Sequence, residues 1–438
     1  MTPNNRYSRF TILLAFTLLA AGCGLVDRPL LPATVSDFKP ASSSDAVRNQ
    51  IAKLPVDDVW WNVYGEDQAW NFKNLHRFMP TVNVYRQGQV RLLLERPLPN
   101  IVTQLVDTPN GSMGFKAFLD SDESKTMGIV VLHKGDVVFE HYPRQQPYEK
   151  PIYWSVTKVL VSALVGILED RGQIDVSLPI SQYLPQLAES DFASITVRNL
   201  LDMATGLNCP EEYIDKTSCY YQYSTTIGDG YWTDESGRSP YTMIASLKPG
   251  VLQPQGETFQ YSGVNTFILS WLVEELMGMP FQDALSKEIW QHIGAEADAG
   301  LLAPRYGVPN THGGLLAQLR DVARFGLLYT PSYNKVSDRK IISDRVVQLI
   351  RNEGNPKLWQ KARIANMLPG DFSHSAYQWD AVYSNHDFYK GGWAGQGLLV
   401  NPDKDIVVVF TGYATDAEES QPDLLPILRQ MLNSIFPN

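Results

Sequence analysis

Two side chains in the run Tyr153-Trp154-Ser155-Val156-Thr157-Lys158 have the types and the spacing for nucleophilic chemistry. A separation of three residues puts them about one helical turn apart on one face, so the Lys158 amine can lie beside the Ser155 hydroxyl. Serine is a poor nucleophile at its own pKa. Lysine can take its proton where burial or a nearby positive charge keeps the amine neutral. The residues that follow, Val159, Leu160, Val161, Ala163, Leu164, Val165, Ile167 and Leu168, are apolar almost all round, which predicts a helix buried at the centre of a domain. Ser-x-x-Lys also arises by chance in a chain of this length, so the pair needs partners elsewhere.

Two stretches can supply them. In Phe259-Gln260-Tyr261-Ser262-Gly263-Val264-Asn265 a tyrosine stands just before a predicted helix, and a phenolate lowered in pKa by ammonium neighbours is a competent general base. In Tyr389-Lys390-Gly391-Gly392-Trp393-Ala394-Gly395 a lysine is followed by glycines at the expected start of a strand. Small residues there let a substrate lie against the strand edge, and an exposed backbone N–H can hold an oxyanion.

The elements that must position these residues are legible in outline. Met127 to His133, a turn at Lys134-Gly135-Asp136, and Val137 to Tyr142 read as a hairpin; Gly397 to Val400, a turn at 401–405, and Ile406 to Thr411 read as a second. Helical patterns lie between them, at 197–203 behind the cap Thr196, at 265–277 and at 319–328, and the amphipathic stretch 424–435 is expected to cover a sheet. The fold class expected is therefore α/β, with one antiparallel sheet built from 126–195 and 376–438, flanked by helices, and an inserted, mostly helical domain at 196–375. Residues 47–125 form an aromatic-rich N-terminal extension expected to pack on the body.

Taken in order, Ser155-x-x-Lys158, Tyr261-Ser262-x-x-Asn265 and Lys390-Gly391-Gly392 resemble the serine β-lactamase and penicillin-recognising hydrolase superfamily. The similarity is greatest to its class C-like branch of esterases, D-amino-acid peptidases and 6-aminohexanoate-dimer hydrolases. It extends to Ile195 through Leu201, Thr205-Gly206-Leu207, Gly313-Gly314-Leu315, Asp321 through Gly326, and Phe78-Met79-Pro80-Thr81, and so spans roughly 70–438. The resemblance implies a β-lactamase-like fold in which Ser155 is acylated, Lys158 and Tyr261 share proton transfer, and Lys390 adjusts that network or binds a substrate carboxylate. Gly391, Gly392 and Gly263 would lie along the substrate, and the N–H groups of Ser155 and Trp393 would hold the oxyanion. Where β-lactamases of this branch have Tyr-x-Asn, this chain has Tyr261-Ser262-Gly263, and Gly391 replaces a hydroxyl residue. Open-chain esters or small linear amides are therefore expected above lactams. A β-lactamase or D-Ala peptidase, and a non-catalytic envelope lipoprotein that keeps the fold for binding, remain as alternatives. A Ser-His-Asp hydrolase lacks its Gly-x-Ser-x-Gly elbow, the nearest approach being Asn110-Gly111-Ser112-Met113-Gly114.

The first residues speak of location. Arg6 and Arg9, an apolar run from Phe10 to Ala21 and then Gly22-Cys23 describe an export signal at 1–22 whose core is too short to span a bilayer. Ala20-Ala21-Gly22-Cys23 resembles a bacterial lipobox, with the leucine one place early at Leu19. The resemblance implies lipidation of Cys23 and anchoring in the membrane, and Gly24 after it favours the outer membrane facing the periplasm. Residues 23–46, rich in proline and serine, read as a tether. The other cysteines, Cys209 and Cys219, are an even pair in a polar stretch of an exported chain and are expected to form a disulfide. No His-Glu-x-x-His or Cys-x-x-Cys occurs and the seven histidines are scattered, so neither a metal nor a cofactor is expected. A net charge of −10 without a basic block argues against nucleic acid, and leaves a small-molecule ester or amide as the expected partner. The pattern says nothing of oligomeric state.

Overall fold

A computed structural model describes residues 28–33, 43–54, 61, 63–230, 232, 236–237, 239–360, 371–416 and 424–437. Cys23, the expected signal and much of the expected tether lie outside the described residues.

Both predicted hairpins form. Thr126–His133 and Asp136–His141 are joined through Lys134 and Gly135, both at positive φ (52° and 77°), a turn whose twist matches that of the flanking strands. Gln396–Asn401 and Ile406–Gly412 make the second. The strand Ile406–Gly412 then pairs antiparallel with Thr126–His133, so the last strand of the chain closes the gap between the two hairpins. Phe388–Gly392, Trp379–Tyr383 and Phe372–Ala376 extend the sheet on one side. On the other side the nine-stranded order runs through Asp136–His141 to Leu93–Glu95 and Arg28–Leu30. The sheet is mixed, because Leu93–Glu95 runs parallel to Asp136–His141 through Glu95 and Val137.

The central strands are apolar at nearly every position because both faces are covered. Val130, Leu132, Val407 and Val409 face one core, while Ile129, Val131, Val408 and Phe410 alternate with them into the other. The first core holds the helices Lys158–Asp170, Gly263–Met277 and Leu319–Leu327. The second is closed by Leu424–Ile435 with Phe115 and Phe118. Every residue from Lys158 to Leu168 is buried, as an all-round apolar helix requires. Thr196 caps the helix Val197–Leu201 by accepting from the Asn199 N–H.

Two further expectations change. The segment expected to be tether contains an ordered edge strand, Arg28–Leu30, whose Pro29 is tolerated because an edge leaves one N–H side unpaired. The expected boundary at 376 falls at the end of a sheet strand that begins at Phe372. Ser112 of the near-miss elbow sits on the exposed strand of a two-stranded hairpin, Leu105–Thr108 with Gly111–Gly114, and donates to Asp107. Cys209 and Cys219 are bonded, with Cα atoms 5.0 Å apart.

Candidate active site

Ser155 lies in a short 3-10 turn, Trp154–Thr157, that feeds directly into the buried helix beginning at Lys158. The preceding residue, Trp154, has φ +46°, a region costly for a bulky side chain, and surrounding bonds hold it there. Thr157 Oγ1 donates to the Trp154 carbonyl and accepts from the Leu315 N–H at 3.0 Å, and the Tyr153 N–H donates to the Leu315 carbonyl. From across the sheet the strand Phe388–Gly392 abuts the same turn: a Cβ on Gly392 would lie 2.3 Å from the Tyr153 carbonyl oxygen. Glycine at 392 is thus what lets the strand reach the serine turn.

Lys158 Nζ is 2.9 Å from Ser155 Oγ and 2.9 Å from the carbonyl oxygen of His312, with Glu211 Oε2 at 3.9 Å. The amine is fully buried, and this burial lowers its pKa to about 8, with Lys390 adding to the fall and Glu211 opposing it. Tyr261 stands opposite. Its phenol hydrogen-bonds with Ser155 and accepts from Lys390 Nζ at 2.9 Å, and Lys158 and Lys390 lie 4.8 Å and 4.7 Å from its ring centre. Lys390, also fully buried, is ion-paired with Asp380, whose other oxygen accepts from the Gly391 N–H at 2.9 Å. Burial lowers the Lys390 pKa while Asp380 pulls it back up.

The expected phenolate is reversed. Burial, then the carboxylates Asp380 and Glu211, push the Tyr261 phenol well above its ordinary value, so the hydroxyl keeps its proton. The group placed to act as base is the Lys158 amine.

A cavity of about 490 Å³ opens onto Ser155. Its walls are largely aromatic, with Trp154 and Trp393 edge to face at 5.3 Å and Trp61, Tyr64 and Tyr213 completing them. Two carboxylates, Glu211 and Asp229, reach the same lining. Trp393 belongs to the wall, but Lys390, Gly391, Gly392 and Gly263 do not. Lys390 is spent on Tyr261 and Asp380, and Gly391 presents its N–H to Asp380. Gly263 lies under the His312 ring, 2.8 Å from where its Cβ would be. The Lys-Gly-Gly triplet closes its strand rather than opening it.

Two acidic residues that the sequence did not point to, Glu211 and Asp229, reach the site. Glu211 is carried by the loop that the Cys209–Cys219 bond closes, its N–H donates to the Tyr261 carbonyl, and its Oε1 accepts from Tyr213 at 2.9 Å. Asp229 bonds His312 Nε2 at 2.8 Å and Asn310 at 3.0 Å, while Tyr223 holds His312 Nδ1 at 2.9 Å. That network fixes the backbone whose carbonyl receives Lys158. Its one signal in the sequence was that His312 directly precedes Gly313-Gly314.

Comparison with known proteins agrees with this geometry. The Beta-lactamase family model matches residues 114–424. The chain is 27% identical to the 6-aminohexanoate-dimer hydrolase of Paenarthrobacter ureafaciens over 366 residues, 81% of this chain and 87% of that one. A solved structure from Bacillus anthracis, provisionally named a 6-aminohexanoate-dimer hydrolase, has a TM-score of 0.73 at 22% identity, covering 87% of this chain and 96% of its own. A class C beta-lactamase mutant gives 0.51 at 14% identity over 73% and 94%. These two structural likenesses speak for the fold alone. With the family model spanning most of the chain and a serine, a lysine and a tyrosine gathered at one cavity, the protein belongs to the beta-lactamase family and is, like its members, a serine hydrolase.

Proposed function

We propose that the enzyme cleaves a small linear amide, or the corresponding ester, through an acyl-enzyme on Ser155. The observation that carries this reading is the 2.9 Å contact between Ser155 Oγ and an amine whose pKa is about 8, at the mouth of an aromatic-walled cavity. At pH 7 about a tenth of such amines are uncharged, enough to accept the serine proton as the hydroxyl attacks the carbonyl. The N–H groups of Ser155 and Trp393 hold the oxyanion. Lys390 donates to the Tyr261 oxygen, which leaves the phenolic proton directed to Ser155 and the leaving nitrogen. As the C–N bond breaks, Tyr261 gives that proton to the nitrogen and takes in its place the one Lys158 removed from the serine, so the amine leaves and Lys158 is again uncharged. Water then repeats the attack on the acyl-serine, with Lys158 again as base.

The name of the Paenarthrobacter relative suggests the substrate class, an amide between short amino acids, and the lining carboxylates Glu211 and Asp229 suit a substrate bearing an amine. Gly263 and Gly391 supply no side chain to a lactam's amide or carboxylate. The test is a panel of 6-aminohexanoate dimer, nitrophenyl esters and a chromogenic lactam, read with intact mass. Expected are dimer and ester hydrolysis, an acyl mass on the peptide holding Ser155, and loss of both in S155A. Faster turnover of the lactam would favour the β-lactamase alternative, and unchanged labelling of S155A would remove the proposal.

For location, we propose a lipid anchor at Cys23, on the strength of the Arg6 to Cys23 pattern, and the outer membrane as its place, on the strength of Gly24. Full-length protein expressed in a bacterium should partition into detergent and C23S should not; equal partitioning would dismiss the anchor.

A further inference from the structure

A second cavity, of about 730 Å³, shares no lining residue with the first. One wall comes from the N-terminal extension and includes Lys73, His76 and Arg77; the other comes from the body and includes Arg144, Glu149 and Lys150. With Asp298, the lining holds four lysines and arginines against two carboxylates, a positive surplus on a chain of net charge −10.

The acids are already engaged. Glu149 Oε2 accepts from the Gln146 N–H at 2.7 Å and Asp298 Oδ1 from the Arg86 N–H at 2.8 Å. Two of the cations are structural: Lys73 donates to the Arg144 carbonyl, and Arg144 donates to the carbonyls of Leu119, Ser121 and Thr126. Three basic groups are left. Arg77 uses Nε on Asn74 and has no ion pair within 4.0 Å among the described residues. Lys150 and His76 make no hydrogen bond or ion pair among them. The three stand close enough to act on one another: burial lowers the His76 pKa, and Arg77 and Lys150 lower it further. Asp298 and Asp321 act on Lys150 in the opposite sense, but the lining keeps its surplus of cations, with Arg77 and Lys150 beside a ring that they hold short of its own charge, and such a part-buried surplus favours an anion.

We propose that this cavity is a binding site for a small soluble phosphate monoester. The guanidinium fork of Arg77, the Lys150 ammonium and the His76 ring offer donors to the phosphoryl oxygens, while Trp70, Tyr142 and Leu316 cover the organic part. The volume lies within the range of small-molecule sites, about 300–1,000 Å³.

The test is calorimetric titration of the full chain in detergent with phenyl phosphate, before and after acylation of Ser155. Expected is one equivalent bound in both states, no binding of phenol, and about tenfold weaker binding by K150Q or R77Q, the loss of one charge-assisted contact. Both variants should keep wild-type melting temperature and ester hydrolysis. Binding of phenol as tight as that of phenyl phosphate, loss of binding on acylation, or unchanged affinity in both variants would each overturn the site.

Discussion

Lys158 carries a stability cost for the sake of its chemistry. A drop from 10.5 to about 8 corresponds to roughly 3 kcal/mol of disfavoured charge in the folded state. The folded chain loses this proton before the unfolded one does, so the penalty is full below about pH 8 and fades as the pH rises toward 10.5. K158M should therefore raise the melting temperature measured at pH 7 while lowering kcat by about 10² to 10⁴. A variant both inactive and less stable would show that the amine holds the fold. Glu211 acts on the same group in the opposite sense, holding its pKa up. E211Q should move the alkaline-rising limb of kcat/KM toward lower pH, whereas a limb that stays in place would mean that Glu211 does not act on Lys158. Ser155 and Lys158 were legible because helical spacing alone makes them neighbours. The state of Tyr261 was not, because Asp380 and Glu211, which hold its proton on, are 119 and 50 residues away in the chain.

At the level of elements, the strand carrying Lys390 does two things at once. It delivers an ammonium to Tyr261, and at Gly392 it comes close enough to brace the turn that presents Ser155. G392A puts a methyl against the Tyr153 carbonyl, so kcat should fall by more than the loss of stability accounts for; acylation kinetics together with a urea melt separate the two. The 209–219 loop gives a second case. Its disulfide is worth about 2–3 kcal/mol on loop-closure grounds, and opening it frees the segment that carries Glu211 and Tyr213 into the cavity wall. The double change C209S, C219S should raise KM more than it lowers kcat in steady-state assays. An unaltered KM would mean the wall keeps its shape without the bond. Both hairpins and the capped helix at Thr196 could be read from turn residues and period. The direction of the Lys-Gly-Gly segment could not, since glycines mark either end of a strand equally well.

Across the whole molecule, the N-terminal extension is more than a cover. It adds Leu93–Glu95 to the sheet between Asp136–His141 and the edge strand, lends Trp61 and Tyr64 to the active-site wall, and forms one side of the second cavity. The α/β architecture was readable because strands near both ends of the sequence needed each other, but an aromatic run without periodicity gave no clue that it would line a site. W61A should raise KM for an aryl ester several-fold and leave the acylation pH profile unmoved, as befits a wall residue outside the proton path.

Acylation depends on an uncharged Lys158 taking the serine proton. The rate at which an active-site ester acylates Ser155, followed by intact mass from pH 6 to 10, should rise with an apparent pKa of about 8 and level off above it. A rate independent of pH across that range, or one that falls where the amine sheds its proton, would contradict it.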